Sequence, residues 1–242
     1  MSCYNLILGQ WQNVLQHIKN VDLLFTSPPY NIGSKAPKKL TNRKYGGYDS
    51  KSWGSIEDYP DTMEETNYQK SQKNFLEWAA VVIKSTGNIL YNHKLRRKND
   101  QLIDPSTWFP SSLYEHDRIV LNRKTTNNHC KSYTYDIYEY LYCLRKNKKA
   151  YFKNNGLGNV WGTNRDYNNK HNAPFSIEFA RQVIRLWCPP DGLVCDPYSG
   201  SGTVMIAAAL EGRRFVGSEM LPKYHKLAID RLYDATKKNA SV

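Results

Sequence analysis

The sequence lacks the features that mark several common protein classes. Its five cysteines are odd in number and contain no Cys-x-x-Cys spacing, so neither a zinc knuckle nor a disulfide framework is predicted. No apolar run approaches the roughly 20 residues needed to cross a bilayer. Residues 1–9 also lack the basic and apolar segments of a secretory signal. We therefore expect a cytoplasmic protein with reduced cysteines and no membrane partner.

Metal and phosphate motifs are also missing. The six histidines show no i, i+4 pairing and no glutamate partner that would indicate a metal site, so no metal is predicted. The glycine turn at 200–202 is not followed by a third glycine, because position 205 is Met205, and the Gly-Lys pair of a P-loop is absent. These absences argue against a dinucleotide or nucleoside-triphosphate site.

Positive charge is abundant. The 242 residues contain 34 Lys and Arg against 22 Asp and Glu, a net charge of +12, which favours a polyanionic partner. Residues 118–170 hold 11 basic and three acidic residues, and they interleave the basic residues with tyrosine and asparagine. This pattern suits either a nucleic-acid interface or a solvated loop surface, and composition does not choose between them.

Apolar periodicity predicts an α/β domain. Short apolar strands alternate with amphipathic helices, which is typical of a mostly parallel sheet with helices on both faces. Strands are predicted over 4–8, 21–25, 88–91, 119–121, 137–144, 193–195 and 214–217. Helices are predicted over 10–19, 177–187, 203–210 and 223–233, and residues 75–83 are predicted to be the end of a further helix.

One candidate site follows the predicted strand at 193–195. The strand runs into a glycine turn and a helix, and open α/β sheets bind ligands at such carboxyl ends. Gly200 and Gly202 would let the backbone approach a ligand closely. Glu219 ends the next strand and offers a carboxylate suited to two ribose hydroxyls. The segment predicts a nucleoside site, with a ligand-free helix turn as the alternative.

A second candidate site follows the predicted strand at 21–25. Pro28 and Pro29 carry no N–H, so the loop is stiff and presents acceptors. The Ser27 hydroxyl and the Pro28 carbonyl would hold an amine, and Tyr30 would stack on the base that carries it. A packing turn at a strand end is the alternative.

Taken together, the two loops resemble those of the amino-group DNA methyltransferases. Residues 26–30, Thr-Ser-Pro-Pro-Tyr, are similar to the catalytic loop of that family. Residues 196–203 resemble its cofactor loop, with Tyr198 where phenylalanine is usual. The catalytic loop precedes the cofactor loop, as in the permuted β class. Residues 171–175 resemble a segment that closes over the methionine end of the cofactor, while Gln10 stands where an aspartate is common.

The resemblance implies a Rossmann-like fold in circularly permuted order and S-adenosylmethionine as cofactor. Catalysis is assigned to Ser27, Pro28, Pro29 and Tyr30. Cofactor binding is assigned to Gln10, Thr26, His171, Phe175, Asp196, Tyr198, Ser199, Gly200, Ser201, Gly202, Thr203 and Glu219.

The resemblance further implies methyl transfer to a flipped base in double-stranded DNA. Serine before Pro-Pro-Tyr favours cytosine N4 as the target, with adenine N6 as the alternative. An RNA methyltransferase and a catalytically silent nucleic-acid-binding protein stay open. A homodimer and pairing with a restriction endonuclease are further expectations.

We expect one catalytic domain over 1–242, with target-recognition insertions within 31–68 and 146–170. Lys146, Lys148 and Lys149 are assigned to DNA binding, because lysines neutralise backbone phosphates.

Overall fold

The computed structural model describes residues 3–31, 62–98, 100–122, 137–153, 156–162 and 176–240. Within these ranges the strands are β1 (Tyr4–Leu8), β2 (Val21–Thr26), β3 (Ile83–His93), β4 (Arg96–Lys98), β5 (Gln101–Ile103), β6 (Tyr114–Asn122), β7 (Tyr138–Arg145), β8 (Val160–Gly162), β9 (Leu193–Asp196) and β10 (Arg214–Glu219). The helices are α1 (Trp11–Val14), α2 (Glu65–Val82), α3 (Ile177–Trp187), α4 (Thr203–Leu210) and α5 (Pro222–Ala240), with a short 3-10 helix over Pro105–Trp108.

Eight of these strands form one sheet in the order β1-β10-β9-β2-β3-β7-β6-β8, and β4 and β5 pair separately as a hairpin. The five strands from β1 to β3 in that order are parallel, whereas β7 runs antiparallel to both β3 and β6. The carboxyl ends of β2, β3, β9 and β10 therefore meet at one edge of the sheet. Both predicted loops lie at that edge.

Helices cover both faces of the sheet, as the alternating pattern predicts. On one face α3, α4 and α5 pack against residues such as Leu23, Phe25 and Val194. On the other face α1, α2 and the 3-10 helix pack against Leu24, Ile89 and Cys195. The central strand β2 is buried along its whole length, because both of its faces lie under helices. The predicted α/β fold with a mostly parallel sheet is confirmed.

Several predicted boundaries differ from the structure, and three of the differences have a clear local cause. The helix predicted over 10–19 ends at Val14, and Asn20 takes a left-handed conformation that reverses the chain into β2. Ile83 belongs to β3, because its backbone is extended directly after the last turn of α2. The stretch 31–68, predicted to hold an insertion, overlaps α2 at its carboxyl end: α2 starts at Glu65, where the Glu64 side chain accepts from the N–H groups of the first turn. Target recognition within this stretch stays a prediction.

Residues 32–61 of that stretch, together with His171 and Phe175, lie outside the described residues. Within the described ranges, no helix combines the length and the apolar character that crossing a membrane would require.

Candidate active site

A cavity of about 620 Å³ opens at the carboxyl ends of β2, β9 and β10. Both loops that the sequence singled out form its walls, since β9 pairs directly with β2 through Leu23–Val194 and Leu24–Cys195. The predicted site residues that line the cavity are Gln10, Ser27, Pro28, Pro29, Tyr30, Asp196, Tyr198, Ser199, Gly200, Ser201, Thr203 and Glu219.

Glu219 is the carboxylate at the end of β10, and it is almost completely buried. One of its oxygens accepts from the Gly200 N–H at 2.9 Å, and the other accepts from the Leu221 N–H at 2.8 Å. Burial raises the pKa of Glu219, and these backbone N–H groups oppose the rise. The side chain thus fixes the glycine turn, and each oxygen keeps a further lone pair for a ligand hydroxyl.

Asp196 ends β9 and is the second buried carboxylate of the cavity. Its Oδ1 accepts from the Thr26 hydroxyl at 2.7 Å and from the Tyr198 N–H at 3.1 Å. Thr26, predicted to bind cofactor, is itself fully buried, and it joins the end of β2 to the end of β9. Burial raises the pKa of Asp196 to about 7, although the two hydrogen bonds act in the opposite direction.

The raised pKa of Asp196 predicts a pH-dependent stability. An unfolded aspartate titrates near pH 4, so between about pH 4 and pH 7 the folded state holds a proton that the unfolded state has lost. Rising pH therefore weakens the fold through this group. Asp196→Asn keeps an acceptor for Thr26 but does not titrate. We expect the unfolding free energy of the parent minus that of the variant to fall by on the order of 2 kcal/mol between about pH 5 and pH 8. Urea unfolding of both proteins measures it, and a difference independent of pH would contradict the prediction.

The glycine turn differs in detail from its sequence interpretation. Gly200 and Gly202 both have positive φ, as a turn of this kind requires. A Cβ on Gly202, however, would lie 2.7 Å from Cβ of Ala228 in α5. The absent side chain at 202 therefore lets α5 pack against the turn, and it does not make room for a ligand. Ser201 also faces α5, where its main-chain oxygen accepts from Arg231 at 2.5 Å.

Tyr198 uses the hydroxyl that distinguishes it from phenylalanine. The Trp11 indole N–H donates to this hydroxyl at 2.8 Å, and the Tyr198 ring packs edge-on against Phe75 at 5.3 Å. Gln10 immediately precedes Trp11, and the N–H of Gly9 donates to the Glu219 carbonyl at 2.9 Å. The Gly9–Trp11 segment is therefore tied to the cofactor loop at two points.

The loop at 27–30 is held by a hydrogen-bonded cluster of side chains. The Ser27 Oγ and Tyr30 Oη lie 2.9 Å apart. Tyr30 donates to Oδ1 of Asn92 at 2.5 Å, and Ser27 Oγ lies 3.3 Å from the same atom. Oε2 of Glu139, a residue of β7 that lines the cavity, lies 3.4 Å from Tyr30 Oη.

The backbone of this loop is anchored from α2. The buried Tyr68 hydroxyl donates to the Pro29 carbonyl at 2.8 Å and lies 2.6 Å from Nε2 of His93. Burial lowers the pKa of His93 to about 3, so this imidazole is neutral. The Pro29 carbonyl is thus engaged by Tyr68, and Pro28 is one of the residues that line the cavity.

With this geometry in place, comparison with known proteins identifies the family. A family model described as DNA methylase matches residues 21–230, which include both loops. The chain belongs to this DNA methylase family. The resemblance inferred from the two loops is thereby confirmed.

Curated relatives of this family member match it over part of their length. Type II methyltransferase M.Cfr9I of Citrobacter freundii is 33% identical over 108 residues, which cover 39% of this chain and 36% of the relative. Type II methyltransferase M.MthZI of Methanothermobacter thermautotrophicus is 30% identical over 135 residues, which cover 51% of this chain and 36% of the relative. The match thus spans little more than a third of the length of either relative.

Solved structures share the fold over nearly the whole chain. The PvuII DNA methyltransferase, described as cytosine-N4-specific, matches with a TM-score of 0.73 and 15% identity over 98% of this chain and 94% of that one. A putative DNA modification methylase from Thermus thermophilus, complexed with S-adenosyl-L-methionine, matches with a TM-score of 0.67 and 21% identity over 96% of this chain and 95% of that one. At these identities the likeness establishes the fold.

The structure does not bring the predicted DNA-binding lysines to the cavity. They follow β7, whose antiparallel direction takes the chain to the opposite edge of the sheet. Lys146 there donates to the Ile83 carbonyl at 2.7 Å, while Lys148 and Lys149 are exposed. Their DNA binding stays a prediction. From this position they would not contact a base bound in the cavity.

Sequence reasoning missed Tyr68, Trp11 and Glu139, and it left residues 91–94 open between a lining of the cleft and a polar loop. Asn92, His93, Tyr68, Trp11 and Glu139 all touch the two loops or line the cavity. Asn92 and His93 directly follow the apolar run 89–91 of β3, and that position at a strand end was the signal for them. Within the described residues, no group of three or more His, Cys, Asp or Glu is placed to hold a metal ion.

Proposed function

We propose that this chain is a DNA methyltransferase that moves a methyl group from S-adenosylmethionine to the exocyclic amine of a flipped base. The observation that carries the proposal is the shared cavity. The loop at 27–30, called the acceptor loop below, lines the same cavity as the buried carboxylates of Asp196 and Glu219. All of them lie at the carboxyl ends of adjoining parallel strands. A nucleoside cofactor and an amine can meet there.

The cavity residues fit this cofactor in their chemistry. Glu219 offers carboxylate oxygens for ribose hydroxyls, and Gln10 and Ser199 add polar groups on the same wall. The ionised form of Asp196 places negative charge where a cationic ligand would be stabilised. S-adenosylmethionine supplies an electrophilic methyl carbon bonded to a positively charged sulfur. The target nitrogen forms a bond to that carbon, the sulfur keeps the electron pair of the broken bond, and one N–H proton passes to water.

The amine side of the proposal depends on Ser27 and Pro28. A stacked base hides its exocyclic amine, so the target nucleotide must leave the helix to enter the cavity. Ser27 Oγ and the Pro28 carbonyl would accept from the amine and orient it towards the cofactor, and the Tyr30 ring would stack on the base. Positioning of this kind lowers the barrier without a covalent intermediate.

Cytosine N4 is the target that we propose. The support is Ser27 itself, which precedes Pro-Pro-Tyr as in the cytosine enzymes that the loop resembles, and the fold shared with a cytosine-N4-specific enzyme. Adenine N6 is the alternative, because both bases present an amine conjugated to a ring nitrogen. Duplex DNA as substrate and pairing with a restriction endonuclease belong to the same proposal, since the curated relatives are type II methyltransferases.

The test is methyl transfer from labelled S-adenosylmethionine, with duplex DNA and RNA offered in parallel. We expect label in DNA, and nucleoside chromatography of digested DNA is expected to show N4-methylcytosine. N6-methyladenine alone would overturn the choice of base, and label in RNA alone would overturn the choice of substrate. Folded protein that binds the cofactor but labels neither would overturn the proposed activity.

A further inference from the structure

The hydrogen bonds behind the acceptor loop have a defined direction, and Asn92 sets it. Asn92 is the penultimate residue of β3 and is fully buried. Its amide nitrogen lies 3.1 Å from the main-chain carbonyl of Tyr140 on β7. A carbonyl oxygen accepts only, so the NH2 group of Asn92 must face Tyr140. Its oxygen therefore faces Ser27 and Tyr30.

The Asn92 oxygen then fixes which way the Tyr30 and Ser27 hydroxyl groups donate. Oδ1 of Asn92 cannot donate, so Tyr30, whose oxygen lies 2.5 Å away, must donate to it. A phenol carries one proton, so once Tyr30 has donated to Asn92 its oxygen can only accept from Ser27 at 2.9 Å. The other partner of Ser27 in this cluster, Oδ1 of Asn92 at 3.3 Å, is also an acceptor. In either case the Ser27 proton points into the cluster, and the Ser27 oxygen meets the cavity as an acceptor.

We propose that Asn92 is a positioning residue, which makes Ser27 an acceptor for an amine and prevents it from donating to a carbonyl. The inference rests on the proposed function and adds a basis for its selectivity. A hydroxyl group is ambivalent in isolation, because it rotates to suit its partner. Without the Asn92 oxygen, the Tyr30 proton has two acceptors in this cluster, Ser27 Oγ at 2.9 Å and Oε2 of Glu139 at 3.4 Å. The shorter contact is the one to Ser27, and when Tyr30 donates to it the Ser27 proton turns towards the cavity. The amine would meet a donor.

Three variants separate this role from a purely structural one. Asn92→Leu removes the acceptor with little change of shape, and we expect kcat for methyl transfer to fall about 100-fold. Asn92→Asp keeps an acceptor oxygen, and its protonated form also keeps a donor for Tyr140, so kcat is expected to stay within about tenfold. Tyr30→Phe lets Ser27 donate directly to Asn92 and is expected to cost no more than Asn92→Asp.

The double variant Asn92→Leu with Tyr30→Phe gives the sharpest result. It removes the Tyr30 hydroxyl, which in Asn92→Leu would donate to Ser27 and turn the Ser27 proton towards the cavity. We therefore expect kcat to recover several-fold over Asn92→Leu alone. Two independent defects would instead multiply their effects on kcat. A double variant that is slower than Asn92→Leu would overturn the proposal, as would an Asn92→Leu enzyme with native kcat. The matched control is Asn88→Asp, which alters another fully buried asparagine, in the middle of β3, whose amide donates to two main-chain carbonyls. It should lower the melting temperature without changing kcat.

A binding measurement without cofactor tests the same direction. Two duplexes are compared by fluorescence anisotropy. One carries the unmodified target base with its exocyclic amine, and the other carries a base with a carbonyl group in place of that amine. We expect the parent protein to prefer the amine at least about tenfold, because an acceptor repels a carbonyl, and Asn92→Leu to lose that preference. Equal preference in both proteins would overturn the role of Asn92. Methylation by the parent enzyme is established first, so failure of the proposed activity is seen separately.

Discussion

Glu219→Gln is expected to lower the affinity for S-adenosylmethionine at least about 100-fold. The carboxylate accepts from Gly200 with one oxygen and from Leu221 with the other, and on our proposal it also accepts from two ribose hydroxyls. Glutamine replaces one oxygen by an NH2 group, which would face a backbone N–H and leave a buried donor unpaired. The loss thus combines a weaker bond to the ribose with a displaced glycine turn. Isothermal titration with the cofactor measures it.

The matched control is Glu211→Gln. Glu211 is also a mostly buried carboxylate, but it follows the far end of α4 and accepts from Arg181 and Arg185. Its substitution should reduce stability and leave cofactor affinity unchanged. If Glu219→Gln bound the cofactor within about threefold of the parent, the ribose role of Glu219 would be refuted.

The two loops were accessible to sequence reasoning because their signals are local. At 21–30 and at 193–203 a short apolar strand is followed by proline or glycine. A few consecutive residues therefore predict the strand, the turn after it and a ligand site at the carboxyl end of the strand. The parallel sheet then brings the two loops together, since β2 and β9 are neighbours that run in the same direction. Even so, the glycine at 202 turned out to serve the packing of α5.

The hydrogen bonds that hold the loop at 27–30 could not be predicted from the sequence, because they depend on the register between strands that are distant in the chain. Asn92 reaches Ser27 across 65 positions of the chain, and Tyr68 reaches Pro29 across 39. No local pattern states that β3 lies beside β2 with Tyr91 opposite Thr26. Helical spacing of Tyr68 with Phe75 and Ala79 would have predicted a buried face, and it was hidden by the polar composition around it.

The predicted DNA-binding lysines show that composition gives the charge of a segment but not its position in the fold. The basic stretch at 118–170 was correct as a count, but charge does not reveal the direction of a strand. Because β7 is antiparallel, Lys146, Lys148 and Lys149 leave the sheet at the edge away from the cavity. On the proposed function, these lysines would contact DNA far from the base that enters the cavity.

Ser27→Ala is expected to lower kcat about 100-fold while the KM for S-adenosylmethionine stays within about threefold. Alanine removes the hydroxyl acceptor for the amine but leaves Thr26 bonded to Asp196, so the cofactor side of the cavity is preserved. Ser27 is only partly buried, and the melting temperature should change little. Single-turnover kinetics with saturating DNA measure the chemical step, and Ser85→Ala, an exposed serine on β3, is the control.

The combination of Ser27→Ala with Asn92→Leu decides whether the two residues act as one unit. If Asn92 acts through the Ser27 hydroxyl, its loss has little left to damage once that hydroxyl is gone. The double variant should then be about as slow as Ser27→Ala alone, and far from the product of the two single effects. A product-like loss would show that Asn92 contributes by another route. A Ser27→Ala enzyme with near-native kcat would remove Ser27 from the amine site, and the directional chain through Tyr30 would then have no catalytic consequence.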